Sequence, residues 1–188
     1  MNLNPPYVPI VQERFCCVPA CVFMILRRRR ISDPSQEEIG WGLGLTVPKE
    51  SAALFSKVRT GKKPKAGWGT QIQAKQYSLG NYFRKNKIPL DSQYFFPKSE
   101  KDMESFATNQ LERGNDLLVL FNYKKLYGGV DAGHASLIQG ISNGKVTLID
   151  PERNVPKKRI VPLKQLWKSI QRHGKGKGGG FWAISGKN

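Results

Sequence analysis

The chain has 188 residues, and its formal net charge of +17 is high for that length. A chain of this size buries roughly 70% of its unfolded surface on folding, so we expect residues 1–188 to form a single domain that needs no disulfide or metal for stability. No apolar run is long enough for a transmembrane helix, and the N-terminus lacks the basic and apolar regions of a secretory signal, so we expect neither.

The basic residues are concentrated in two segments. Residues 51–90 contain nine Lys or Arg, residues 153–188 contain ten, and neither segment contains Asp or Glu. A strongly positive surface attracts anions, so an acidic protein, a nucleic acid or an anionic surface is a candidate partner. A charge excess without a specific partner is the alternative that the sequence leaves open.

The first predicted helix spans residues 17–30. Pro19 fits its first turn, where a missing N–H costs nothing, and the apolar stretch VFMIL follows. The run of four arginines falls at its C-terminal end, where cations suit the helix dipole, and we prefer this interpretation to a nucleic-acid patch. A second short helix begins after Ser35 or Asp33, either of which can cap it.

The later elements alternate between helices and strands, with most of the sheet in the second half. In chain order we predict a loop at 58–70, a helix at 71–87, a strand at 88–95, a helix at 101–113, a central strand at 117–123, a hairpin of strands 134–141 and 145–150, a helix at 162–172 and a strand at 181–186. The sequence therefore predicts an α+β fold.

All three cysteines lie within six positions, at Cys16, Cys17 and Cys21. An odd number cannot pair completely within the chain, so we expect free thiols and a reducing, cytoplasmic location, with secretion by a signal-independent route as the alternative. A single Cys-x3-Cys pair has no second pair of His or Cys to complete a zinc tetrahedron. We therefore expect no metal and no cofactor.

Cys17 is the best-placed nucleophile of the three. It lies just before Pro19, at the mouth of the first helix, where unpaired N–H groups and the positive end of the helix dipole favour the reactive thiolate form of a cysteine. Cys21 lies one turn further along and is predicted to be core. Cys16 falls in the loop before the helix and has no assigned role.

A cysteine nucleophile needs a base, and the chain offers two histidines. His173 lies in the basic stretch KSIQRHGKGK and is predicted to be a surface residue. His134 follows a glycine at the start of an apolar strand. A histidine in that position is often structural, but an acidic residue on the neighbouring strand makes His134 the candidate base.

That acidic residue is Asp150, at the end of the second hairpin strand. A two-residue Asn-Gly turn would point His134 and Asp150 to opposite faces, whereas a three-residue loop over 142–144 would pair Asp150 with Ser136. His134, opposite Glu152, would then be a diagonal neighbour of Asp150, about 7 to 8 Å away at Cα. We therefore predict the three-residue loop, with Asp150 orienting the imidazole.

Gln12 is the fourth candidate residue. It precedes Cys17 by five positions, so its side-chain amide can reach back toward the nucleophile. Together with the Cys17 backbone N–H it would donate to a developing oxyanion, and one such donor is worth about 2.7 to 4 kcal/mol of transition-state stabilisation.

These residues together resemble the papain-like cysteine peptidases, and in particular the bacteriocin-leader-processing (double-glycine) group, in a standalone form without a transporter segment. The matching pattern is Gln12, then Cys17-Val18-Pro19-Ala20-Cys21 opening an apolar helix, Gly133-His134-Ala135 on a strand, and Asp150-Pro151 after the hairpin. The chain order and the His-to-Asp spacing of sixteen are also similar. Firm motifs cover only residues 12–26 and 132–151.

The resemblance implies a papain-like fold, in which an N-terminal helix carrying the nucleophile packs against an antiparallel sheet. It implies Cys17 as nucleophile, His134 as base, Asp150 as orienting residue and Gln12 in the oxyanion hole. It also implies hydrolysis of a peptide or isopeptide bond in a peptide or protein substrate, through a thioester. Val18 stands where the family usually has glycine, so we expect an altered substrate groove.

Two other functions remain open on the same residues. The thioester could pass to an amine or a thiol instead of water, as in the similar phytochelatin synthases and acyltransferases. Alternatively, the chain is a non-catalytic anion-binding protein on a papain-like scaffold. The charge favours this last function, and the intact set of four site residues disfavours it.

Overall fold

The computed structural model describes residues 2–55 and 64–187, so part of the loop predicted at 58–70 lies outside the described residues. The helices in these ranges are α1 (Cys17–Arg28), α2 (Gln36–Gly42), α3 (Leu79–Lys85), α4 (Glu100–Glu112), α5 (Tyr123–Tyr127) and α6 (Leu163–His173). The strands are β1 (Thr46–Val47), β2 (Lys65–Ala66), β3 (Leu90–Phe95), β4 (Asp116–Asn122), β5 (Gly133–Ser142), β6 (Lys145–Ile149), β7 (Lys158–Pro162) and β8 (Gly180–Gly186).

Six of the strands form one antiparallel sheet in the order β3-β8-β4-β5-β6-β7. The apolar run of β4 lies inside this sheet, and all seven of its residues are buried, which confirms the predicted central strand. β1 and β2 form a separate short parallel pair. The fold is therefore α+β, with the N-terminal helix α1 in contact with β4 and β5.

The end of α1 is fixed by a buried ion pair. Arg28 and Arg29 approach opposite oxygens of Asp116, with N–O distances of 3.5 and 2.5 Å, and the hydroxyl of Tyr7 donates to the same carboxylate at 2.7 Å. Asp116 is fully buried, so these cations neutralise a charge that would otherwise be costly inside the protein. Two of the four arginines therefore tie the end of α1 to β4, a role that the interpretation as cations at a helix C-terminus did not include.

The helix predicted at 71–87 is wrong in its first half. A 3-10 turn occupies Lys75–Tyr77, and α3 begins only after Ser78, whose side chain accepts a hydrogen bond from the backbone N–H of Asn81. Ser78 is a good N-cap, because its hydroxyl replaces a missing helical acceptor. The apolar residues predicted to face inward from this segment are nonetheless buried: Ile72, Leu79, Tyr82 and Phe83.

The other boundaries agree with the predictions to within a few residues, and α2 is capped by Ser35 through a capping box with Glu38. Four of the elements named above were not predicted: β1, β2, α5 and β7. Among the residues that the structure describes, no helix combines the length and apolar character needed to cross a bilayer.

Candidate active site

Cys17 is the first residue of α1. Cys16 occupies the N-cap position but makes no side-chain cap, so the first N–H groups of the helix point toward the approach loop without a side-chain acceptor. Cys17 is half-buried, whereas the next residue, Val18, is only 3% exposed and packs in the main hydrophobic core. The side chain of Val18 therefore packs in the core and not toward solvent.

The turn of the β5–β6 hairpin has two residues. Ser142 pairs with Lys145, which leaves Asn143 and Gly144 between them. Both have positive φ, 50° and 67°, as a type I′ hairpin turn requires. The three-residue loop predicted from the sequence is therefore wrong.

A β-bulge in β5 produces the strand register that the sequence analysis had attributed to a three-residue loop. The pairing shifts by one position at Gln139, which is an extra residue in β5. Beyond the bulge Leu137 pairs with Ile149, and continuing that register sets His134 diagonally across from Asp150. Their side chains share one face, so the predicted juxtaposition is confirmed although the predicted turn is not.

The imidazole of His134 lies between a carboxylate and a thiol. Its Nε2 is 2.8 Å from Oδ1 of Asp150. The thiol of Cys17 also forms a hydrogen bond with the ring, and because Nε2 faces the carboxylate, Nδ1 is the nitrogen available to the sulfur. His134 and Asp150 are 5% and 0% exposed. The structure thus brings together three of the four residues singled out from the sequence.

These contacts favour the imidazolium form of His134. Burial lowers the pKa of His134, but the hydrogen bonds to Asp150 and Cys17 and the charges of both groups raise it, and the resulting pKa is about 9. A cationic ring beside the sulfur stabilises a thiolate, and the same ring holds a proton for a leaving group.

Asp150 is held as an anion by several neighbours. Its Oδ1 accepts a hydrogen bond from the backbone N–H of Glu152 at 2.9 Å, and Nε of Arg159 lies 3.5 Å from its Oδ2. Burial raises the pKa of Asp150, but His134, this N–H and Arg159 lower it, and the pKa lies below its ordinary value. The guanidinium of Arg159 in turn stacks on the ring of Tyr127, 3.8 Å from its centroid.

Gln12 lies beside the segment that follows Asp150. Its backbone N–H donates to the carbonyl of Pro151 at 2.8 Å, and its side-chain Nε2 donates to Oε2 of Glu152 at 3.1 Å. Its Oε1 is buried and has no hydrogen-bond partner among the described residues. The bond to Glu152 uses one N–H of the amide, and the second N–H is left for another acceptor.

The other two cysteines are buried. Cys21 is part of the main core, and Cys16 belongs to a smaller apolar cluster with Leu45, Val47 and Phe55. Burial, followed by the effect of nearby acidic groups, raises the pKa of both thiols above the ordinary value. Cys21 is core, as predicted, and Cys16, which had no assigned role, is a packing residue.

His173 differs from its predicted surface position. It ends α6, is half-buried and packs against Gly133, where an added Cβ would lie 2.5 Å from its Cε1. The glycine before His134 is therefore required by the imidazole of His173 on the opposite face of β5. On its own face His134 is flanked edge-on by the rings of Phe121 and Tyr123, at centroid distances of 5.6 and 5.3 Å.

Arg159 and Glu152 are the site residues that the sequence did not reveal. Arg159 reaches Asp150 because β7 pairs with β6, and this strand lies in a stretch that the sequence interpretation treated only as basic. The adjacent β-branched residues Ile160 and Val161 are the strand signal that the sequence of β7 offers. Glu152 entered the hairpin argument only as the residue opposite His134.

Comparison with known proteins places this geometry in a known fold. The chain is similar to a candidate C39-like peptidase from Bacillus anthracis, with a TM-score of 0.61 and 11% identity over 100% of this chain and 99% of that one. It is also similar to a double glycine motif protease from an AMS/PCAT transporter, solved in complex with the leader peptide, with a TM-score of 0.53 and 12% identity over 99% and 98%. No protein-family model and no curated protein matches the chain. The chain therefore has the papain-like α+β fold of the C39 peptidases.

Proposed function

We propose that the chain is a cysteine peptidase-like hydrolase that uses Cys17 as nucleophile, His134 as base and Asp150 as orienting residue. The observation that carries the proposal is the position of His134, which contacts a buried carboxylate through Nε2 and also forms a hydrogen bond with the thiol at the start of α1. We take residues 1–188 as one peptidase domain, since a single apolar cluster includes residues from Leu3 to Ile184.

In the resting site the proton of the Cys17 thiol lies on His134 Nδ1, which gives a thiolate–imidazolium pair, and in the first step Sγ attacks the carbonyl carbon of the scissile bond. The resulting oxyanion accepts hydrogen bonds from the backbone N–H of Cys17, which lies in the unpaired first turn of α1, and from the free N–H of the Gln12 amide. Asp150 stabilises the imidazolium during this step and fixes the ring so that Nδ1 faces the sulfur.

In the second step the imidazolium of His134 gives its proton to the leaving amine as the C–N bond breaks, and a thioester on Cys17 remains. Water then attacks the thioester carbonyl, with His134 removing a proton from the water. The C–S bond breaks, the acid product leaves, and the thiol of Cys17 is restored.

A peptide or isopeptide bond is the substrate that the comparisons support best. The fold is shared with C39-like peptidases, and one of the similar structures was solved with a leader peptide bound. Cys17 is the only one of the three cysteines that is not fully buried.

Alkylation of the native protein tests the proposal. The protein is treated with limiting iodoacetamide near about pH 6, where an ordinary thiol is largely unreactive, and the adducts are mapped by mass spectrometry. We expect Cys17 to react at least about tenfold faster than Cys16 and Cys21, because only Cys17 is accessible and paired with an imidazolium.

His134→Ala is expected to abolish the fast reaction, and His173→Ala is the matched control, since it removes the other histidine of the chain without touching the thiol. Equal, slow labelling of all three cysteines would refute the pair. Loss of the fast reaction in both histidine variants would show that it does not depend on His134 in particular.

A further inference from the structure

A cavity of about 330 Å³ opens at the start of β5, next to His134. Its described lining residues are Asn122, Asp131, Ala132 and Gly133 on one side and Arg172, His173 and Lys177 on the other. The Cβ direction of Gly133 points at His173, whereas the side chain of His134 points to the opposite face, since side chains alternate along a strand. The cavity therefore lies behind the strand that carries the proposed base.

The charge inside this cavity is positive. The only carboxylate in its described lining, Asp131, accepts a hydrogen bond from Asn122 Nδ2 at 2.7 Å and lies 3.4 Å from Nη2 of Arg172. Arg172 offsets that carboxylate, and Lys177 and the polar ring of His173 are left without an acidic partner in the lining.

Outside the cavity the positive charge continues along one face of α6. Lys164, Lys168 and Arg172 are exposed and follow one another at four-residue spacing, and exposed Lys175 lies two residues beyond the end of the helix. Residues four apart are neighbours on a helix surface, so the first three form a row about 12 Å long. Among the described residues, no carboxylate forms an ion pair with Lys164, Lys168 or Lys175.

Helix α5 widens the same surface. Exposed Lys124 and Lys125 lie on α5, and Gln165 of α6 donates through Nε2 to the carbonyl of Leu126 at 2.8 Å, which holds the two helices together. We call the exposed cations of α5, α6 and the turn after α6 the α5–α6 surface; they are Lys124, Lys125, Lys164, Lys168, Arg172, Lys175 and Lys177.

We propose that the α5–α6 surface and the adjoining cavity bind an acidic segment of the peptide on which Cys17 acts, an inference that rests on the proposed function. The row on α6 matches about four residues of extended chain at roughly 3.3 Å each. The cavity adjoins Gly133, one position before the proposed base, so a substrate that passes the start of β5 meets Arg172 and Lys177 next.

A peptide fits these observations better than a nucleic acid does. Proteins that bind single-stranded nucleic acids combine basic grooves with aromatic side chains on which bases stack. The described lining of the cavity contains no Phe, Tyr or Trp, and Tyr127 of α5 and Trp167 of α6 pack against the main hydrophobic core. Carboxylates, by contrast, need only the cations and N–H donors that the surface presents.

Binding of a labelled oligo-glutamate peptide tests the inference. Fluorescence anisotropy is measured on the Cys17→Ala protein with a peptide of about eight glutamates, with an oligo-glutamine peptide of the same length as the uncharged probe. We expect oligo-glutamate to bind, and to bind more weakly as salt rises from about 50 to about 200 mM, because exposed charges are screened. Oligo-glutamine is expected not to bind.

The decisive variant is Lys164→Gln/Lys168→Gln/Lys175→Gln, which removes three exposed charges outside the cavity and is expected to weaken binding by about tenfold. The control, Lys49→Gln/Lys85→Gln/Lys187→Gln, removes the same charge from exposed positions on other elements and is expected to change affinity by less than about twofold.

Equal loss in both variants would overturn the inference, because the effect would then come from net charge alone. Tighter binding of a thymidine oligonucleotide, lost in the same α6 variant, would also overturn it and identify a nucleic-acid surface. The binding test uses the Cys17→Ala protein, so it is independent of the labelling test. If oligo-glutamate does not bind but Cys17 is labelled fast, only this inference is refuted. Slow labelling alongside oligo-glutamate binding would refute the proposed function.

Discussion

Replacement of Asp150 by Asn tests the electrostatics of the site directly. The amide keeps the shape of the carboxylate but removes the charge 2.8 Å from His134 Nε2. The pKa of His134 is about 9 against an ordinary 6.5, a difference worth roughly 3 kcal/mol in favour of the imidazolium at about 1.36 kcal/mol per pKa unit. Burial opposes this charge, so we expect Asp150→Asn to lower the pKa of His134 by about 1 to 3.

Proton NMR titration of the two histidines measures the change, since the chain contains no others. His134 should titrate near pH 9 in the wild-type protein. His173 should titrate below its ordinary range, because burial lowers its pKa, and its resonance should not move in Asp150→Asn. The reasoning would be refuted if neither histidine titrated above neutral pH, or if the pKa of His134 were unchanged in the variant.

The same pKa predicts how stability depends on pH. A group whose pKa is higher in the folded than in the unfolded protein stabilises the fold fully below its unfolded pKa, and the contribution is lost as pH rises through its folded pKa. The contribution of His134 to stability should therefore be complete below about pH 6.5 and should decrease between about pH 6.5 and about pH 9. The difference in the free energy of unfolding between wild type and Asp150→Asn, measured with urea, should be largest below this window and decrease as pH rises through it.

Three further substitutions test the structure around the site by urea unfolding near pH 7. Arg159→Met leaves the buried Asp150 without the guanidinium 3.5 Å from its Oδ2 and should lower the free energy of unfolding by roughly 3 kcal/mol, with partial recovery in Arg159→Lys. Gly144→Ala places a side chain at φ +67° with nothing near it, so it should cost only the conformational strain of about 1 to 2 kcal/mol, and Gly176→Ala is the unstrained control. Gly133→Ala places a Cβ 2.5 Å from His173 Cε1 and should cost about 1 to 3 kcal/mol, most of which the double variant with His173→Ala should restore.

Each of these predictions has an outcome that contradicts it. An unchanged stability in Arg159→Met would mean that Asp150 does not need the guanidinium. Equal costs at Gly144 and Gly176 would show that the positive φ is not the cause. A Gly133→Ala defect that persists without His173 would place the clash elsewhere.

The sequence was most informative where one local signal decides the structure. The start of α1 follows from Pro19 and the apolar residues after it, and this placed Cys17 correctly at the first position of the helix. The buried β4 follows from an uninterrupted apolar run. These features depend on short-range chemistry, which the sequence contains in full.

The hairpin shows why the shared face of His134 and Asp150 could be predicted while the bulge that produces it could not. A shared face for His134 and Asp150 requires one extra residue somewhere between them. An Asn-Gly pair strongly favours a two-residue turn, and the extra residue lies instead at Gln139, where a polar side chain interrupts the apolar strand. Gln139 forms its hydrogen bonds with the N-terminal segment, and these long-range contacts cannot be predicted from the residues next to it.

The residues around the carboxylate could not be predicted for a different reason. Arg159 acts on Asp150 only because β7 pairs with β6, a contact between segments that the sequence does not link. Glu152 and Gln12 are 140 positions apart, and their hydrogen bond exists only in the folded chain. Tertiary pairing, not propensity, determines both roles.

The bulge at Gln139 restricts how the length of this hairpin can change. Deletion of that one residue would turn His134 to the opposite side of the sheet from Asp150, whereas a change of two residues would keep them together. The same residue accepts a hydrogen bond from the backbone N–H of Tyr7 and donates one to the carbonyl of Leu3, so it also anchors the N-terminal segment that leads to Gln12. One inserted residue thus aligns both halves of the site, and insertions or deletions in this hairpin should be tolerated only in pairs.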